Sequence, residues 1–136
     1  ELAPTSYRSA RQQMRRLAND QGNIANIIPN TLVVGIELEQ RAQEILQSPG
    51  NADNANRVNN PEAGTAKILV PIHMTSATQW GVANSEMMKE NCVWFDHTKP
   101  DFKSVIDFDT EQLKVSGYGM WSFLVFSWRW IVWSNA

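Results

Sequence analysis

The chain has 136 residues, 43% of them hydrophobic and 19% charged, with a formal net charge of -2. That is the size and balance of one ordinary globular domain, able to bury a core without metals or disulfides. The charge gives no reason to expect a nucleic acid as main partner, although Arg8, Arg11, Arg15 and Arg16 cluster early. The single cysteine, Cys92, rules out an internal disulfide and fits a reducing compartment. The opening "ELAPTSYRSARQQMRR" lacks the apolar stretch of a signal peptide, and a start at Glu1 is expected of a chain processed or excised from something longer.

Residues 5–19 read as an amphipathic helix, with Thr5 or Ser6 as cap and Tyr7, Ala10, Met14, Leu17 and Ala18 at helical spacing. Arg8, Arg11 and Arg15 stand off that stripe, either as a solvated face or as a docking surface for acidic neighbours. "NDQGN" ends the helix, with Gly22 as the break. Thr31–Val34 is a short β-branched and aliphatic run, predicted as a buried strand, and Glu37–Gln47 carries Leu38, Ala42, Ile45 and Leu46 on one helical side. A strand followed by a helix predicts a mixed α+β domain.

The 17 residues from Ser48 to Gly64 hold five asparagines with Pro and Gly, and predict a long loop used in contacts or left disordered. "KILVPI" returns to strand, with Pro71 pointing to an edge or a bulge. "QWGVAN" and "CVWFDH" are short strands around a polar turn, "SEMMKEN"; "KPDFKSVIDFDTEQ" reads as charged and irregular. A strand from Leu113 to about Met120 leads into "WSFLVFSWRWIVW", which holds four of the six tryptophans. The 16 residues from Tyr118 to Trp133 fall short of the roughly 20 of a spanning helix. Arg129 inside the run would add roughly 2.5 kcal/mol or more to the cost of insertion. The run is therefore predicted as a strand, apolar on both faces and covered on both by its own domain or a neighbour.

Signals for catalysis are thin. His73 and His97 are far apart, and Asp96 beside His97 points to the opposite strand face, so neither makes a convincing base. Cys92 reads as a small buried residue. One cysteine and two scattered histidines make no metal site, and no glycine pattern cradles a phosphate. Asp101, Asp107, Asp109 and Glu111 read as a solvated acidic loop. Trp80, Trp94 or Trp121 could stack a sugar or base, the ligand-binding alternative, although core and interface are the commoner fates of such residues. A hydrolase using His97 with Asp96 or Asp101 is the remaining rival. The balance favours an interaction or assembly protein with no enzymatic activity and no cofactor.

The order of segments adds a resemblance. "SYRSARQQMRRLANDQGN" running into "IIPNTLVVGIELEQRAQEIL" resembles the major head subunit family of Mu-like tailed phages. The matching positions are Asn19, Asp20, Gln21, Gly22, Pro29, Asn30, Leu32, Val33, Val34, Leu38, Glu39, Ala42 and Leu46. "VWFDHTKPDFKS" and "FDTEQLKVSGYGMWSFLVFSWRWIVWSN" resemble later segments of that family, so the likeness runs in order over about residues 5–134. It implies a Hong Kong 97-like capsid fold: residues 1–29 with the spine helix of the peripheral domain, 30–110 as an axial-type domain, and 111–136 as strands returning to the peripheral domain. The N-terminal arm and extended loop that it also implies are missing, so the chain is expected to be a C-terminal portion. Implied partners are copies of itself and other head or scaffolding proteins, with DNA only as shell content and no membrane. The implied location is the virion capsid, after synthesis in the bacterial cytoplasm; an encapsulin-like cargo shell is a related alternative. Assembly contacts are expected from Arg8, Arg11, Arg15 and Arg16, from Asn51, Asn54 and Arg57 in the loop, and from Trp128 and Trp130.

Overall fold

The structure is a computed structural model that describes residues 1–50 and 59–134; Asn51, Asn54 and Arg57 lie outside the described residues. Helix α1 runs Pro4–Arg15. It starts one residue before the predicted cap because Pro4 supplies a helical φ and has no N–H to satisfy at the first position, with Ala3 as N-cap and no side-chain cap bond. It also ends earlier than residue 19. The Asn19 side-chain oxygen accepts from the N–H groups of Gln21 and Asn23 at 3.0 and 2.9 Å, and Gly22 takes φ 82°. This local turn competes successfully with another helical turn.

Strand β1 is Thr31–Val34, as predicted, followed by a 3-10 turn at Ile36–Leu38 and helix α2 at Glu39–Gln47. Strand β2, Lys67–Leu69, pairs parallel with β1, so α2 lies on the crossover that a parallel pair requires. β2 is the outermost strand and stops before Pro71, in keeping with the edge reading of that proline. Strand β3, Trp80–Ala83, pairs antiparallel with β1, and β6, Ile131–Ser134, antiparallel with β3, giving the order β2-β1-β3-β6.

One sheet face carries Leu32, Val34, Trp80 and Val82, which join Tyr7 and Met14 of α1 and Ala42, Ile45 and Leu46 of α2 in one buried cluster. The fold is thus a mixed α+β arrangement with helices packed on a sheet. Trp80 is 3% exposed: it is a core residue and not a ligand-stacking one. On the other face the Trp133 ring lies against Gly81, where a Cβ would come within 2.3 Å of a ring carbon. Only glycine permits that approach without displacing the indole.

"SEMMKEN" is helix α3, Ser85–Asn91, and not a turn. The Asn84 side-chain oxygen caps it, accepting from Glu86 and Met87 N–H at 3.1 and 2.9 Å, while its side-chain amide donates to the Ile28 carbonyl at 2.7 Å. From Asn91 the chain enters a long hairpin of β4, Cys92–Ile106, and β5, Leu113–Val125. Of the stretch from Lys99 to Gln112, expected to be irregular, residues 99–106 are strand, whereas 107–112 form the turn at the hairpin tip. Its proline falls where the register shifts between Thr98 and Asp101, and a bulge tolerates the missing N–H. The aromatic run is not one strand: β5 ends at Val125, and residues 126–130 form a bend before β6.

A candidate interaction surface

Three groupings of side chains stand out. The first joins α1 to the segment after the asparagine-rich run. Glu62 is 4% exposed, and its carboxylate takes Arg8 Nε at 2.9 Å on one oxygen and an Arg11 guanidinium nitrogen on the other. Asn60 positions it: the Asn60 side-chain oxygen accepts from Glu62 N–H at 3.1 Å, and its amide donates to the carbonyls of Ile45 and Ser48 at 2.6 and 3.0 Å. Thr65 donates its hydroxyl to the Glu62 carbonyl at 2.8 Å, which leaves the Tyr7 hydroxyl to donate to Thr65 Oγ1 at 3.1 Å. Burial pushes the Tyr7 phenol up from its ordinary pKa. Two of the four predicted contact arginines thus have a partner inside the chain, whereas Arg15 and Arg16 are exposed. Arg15 makes a long 3.4 Å bond to the Asn26 side-chain oxygen.

A second grouping ties the bend at 126–130 to the turn after α1. Arg129 donates to the Ala18 carbonyl at 2.9 Å and to Asp20 at 2.6 Å, and its guanidinium lies 5.6 Å from the Trp128 ring centre. Trp128 itself is 62% exposed, so this chain alone does not bury it as the sequence reading expects. Trp130 is half-buried, with an indole nitrogen that has no hydrogen-bond partner among the described residues.

The largest feature is the β4–β5 hairpin. The cross-strand pairs Trp94↔Phe123, Phe102↔Gly117, Ser104↔Val115 and Ile106↔Leu113 share one face with Trp121 and Val125. The two register shifts in β4 together add two residues, an even number, so the same face continues from root to tip. Trp94 and Phe123 are in tilted ring contact at 6.4 Å, and the Phe102 ring fills the space over Gly117. Asp96, opposite Trp121, is the acidic side chain on this face, and it accepts the Trp94 indole N–H at 2.8 Å. That bond joins residues two apart on one face, and it leaves His97 without Asp96 as orienter. The opposite face pairs Asp101 with Tyr118, Lys103 with Ser116 and Val105 with Lys114, interleaving charge with apolar surface. At the tip, Lys114 beside Asp107 holds that carboxyl below the usual aspartate range.

Most of this apolar surface is wet in the single chain: Trp121 is 58% exposed and Phe102 74%. A two-stranded ribbon exposing aromatics on this scale is marginal in water by itself and is characteristic of a surface that another protein covers. Cys92, at the hairpin root, is half-buried and free. Among the described residues, no three His, Cys, Asp or Glu side chains gather where they could hold a metal ion, and no helix is long and apolar enough to cross a membrane.

The most prominent surface among the described residues is thus an exposed apolar one, with no metal cluster beside it. A family model described as the Mu-like prophage major head subunit gpT matches residues 1–74, more than half of the chain, and the chain belongs to that family. Members are structural proteins of the phage head. The matched segment spans α1 to β2, so β3, β6 and the hairpin lie beyond it. Comparison with curated proteins and with solved structures gave no match.

Proposed function

We propose that the chain is a structural subunit of an icosahedral phage head, built on a Hong Kong 97-like fold, that associates with copies of itself into capsomers and a shell. The observation that carries this reading is the apolar hairpin surface, which the described residues leave uncovered, on a chain of the head subunit family. The proposed division keeps α1 within residues 1–29 as the spine helix, 30–110 as axial-type and 111–136 as returning strands. β5 leads back from the hairpin tip to β6, which pairs with β3 and packs on α1, so residues from all three parts meet in one core. Other head or scaffolding proteins are further partners, with DNA as shell content, and the virion capsid is the location. Of the expected contact residues, Arg15, Arg16 and Trp128 are exposed, as is Arg8 even while it holds Glu62.

The small-ligand alternative has one observation in its favour, an open concavity lined by Trp94, Trp121, Phe95 and His97. Acrylamide quenching of tryptophan emission separates the two. On the head-subunit reading the accessible fraction falls as protein concentration rises, with no ligand present. A fraction independent of concentration, falling only when an oligosaccharide or nucleoside is added, would favour the binding module.

A further inference from the structure

Resting on that reading, we propose that one face of the β4–β5 hairpin, centred on Trp94, Phe102, Trp121 and Phe123, is the seat of a second copy of this chain. Four observations select this face and this occupant. It is continuous along the whole ribbon, because the paired register shifts in β4 restore the alternation beyond Pro100. Its acidic group, Asp96, accepts a hydrogen bond from the Trp94 indole, which offsets part of the cost of covering that carboxylate. The opposite face holds Lys103, Lys114 and Asp101, whose desolvation would oppose close packing.

Area supplies the fourth. The eight large apolar side chains on this face (four aromatic, three β-branched and Leu113) are between 41% and 74% exposed. At on the order of 100 Å² apiece they amount to roughly 800 Å², about one side of a standard stable interface. A surface of that size can be covered by the same patch of a second copy in an isologous contact.

Two valines make a matched test. Val115, on the proposed face opposite Ser104, is 64% exposed; Val105, on the other face opposite Lys114, is 66% exposed. Val115→Lys and Val105→Lys therefore place the same charge at similar exposure on opposite faces. Sedimentation velocity over a concentration series should show association weakened about tenfold or more by Val115→Lys, since a buried unpaired charge costs several kcal/mol. Val105→Lys should associate like the unaltered chain. Far-UV circular dichroism checks folding, and Trp121→Ser serves as the second variant on the proposed face. If the unaltered chain associates and neither Val115→Lys nor Trp121→Ser weakens it, or Val105→Lys weakens it as much, the seat is elsewhere and the head-subunit reading stands. If the unaltered chain shows no association at any concentration, that reading fails and this inference with it.

Discussion

Replacing Trp80 with alanine is expected to cost the chain about 3–5 kcal/mol, the range for emptying a packed indole site. Trp80 sits at 3% exposure between β1 and β6, opposite Val34 on one side and Ser134 on the other. Its ring belongs to the cluster into which α1 and α2 both pack, so the cavity has several rigid walls and little means of collapse. The indole nitrogen has no partner among the described residues, so no hydrogen bond is lost to complicate the result. Urea denaturation of dilute protein measures the change. Trp128→Ala, made in parallel, should change the stability of the dilute chain by under about 1 kcal/mol, because that indole is mostly exposed. Equal losses in the two variants would contradict the placement of Trp80 in the core.

Removing the Glu62 carboxylate is the second large effect. Breaking a buried ion pair by deleting one partner costs about 3–5 kcal/mol when both charges are buried. Here Glu62 is buried but the Arg8 side chain is 47% exposed and can return to water. The loss from Arg8 is therefore screened, and Glu62→Ala should cost about 2–3 kcal/mol, mostly through Arg11. The Arg11 Nε is buried with no partner among the described residues, so the guanidinium has little else to turn to. Asn60 and Thr65 bond to the Glu62 backbone, which alanine retains, so the loss is confined to the two arginine contacts with α1. Glu62→Gln, which keeps the shape and some hydrogen bonding, should fall between the two. Urea midpoints of the three proteins, compared at one pH, give the order; a Glu62→Ala protein as stable as the unaltered chain would remove the clasp from the account.

The parts of this fold legible in the sequence were those whose cause is local. Thr31–Val34 is a short apolar β-branched run and is β1; the helical spacing of Ala42, Ile45 and Leu46 appears unchanged in α2. Pro71 marked an edge strand because a missing N–H has the same consequence in any context. The failures have a different cause. The β4–β5 register is set by pairs up to 33 residues apart, Cys92 with Val125, and those pairs override the charges and proline that made the stretch look irregular. The alternation of apolar residues continues through Phe126 and Trp128, so period alone could not reveal the bend between β5 and β6. Helix α3 has seven residues, too few for periodicity to speak, and its one signal was Asn84 as a cap.

The interaction surface was half legible. Aromatic excess near the end pointed to shared burial; of that excess the hairpin carries Trp121 and Phe123 in the open, while Trp128 is exposed in the bend that follows. Which residues form one face depended on two bulges that no sequence pattern announced. The arginines of α1 were visible as a row, but their acidic partner was a single Glu62 in a run of asparagine and proline, with nothing in the spacing to connect it with Arg8 and Arg11. Arg129 was read only as an obstacle to membrane insertion; its bond to Asp20 joins positions 109 residues apart.

On the head-subunit reading, other copies of this chain cover its hairpin surface. Negative-stain electron microscopy with light scattering, across a wide range of protein concentration and salt, tests it most directly. The account predicts concentration-dependent assemblies of uniform size, rings or closed particles. A strict monomer throughout that range would contradict it.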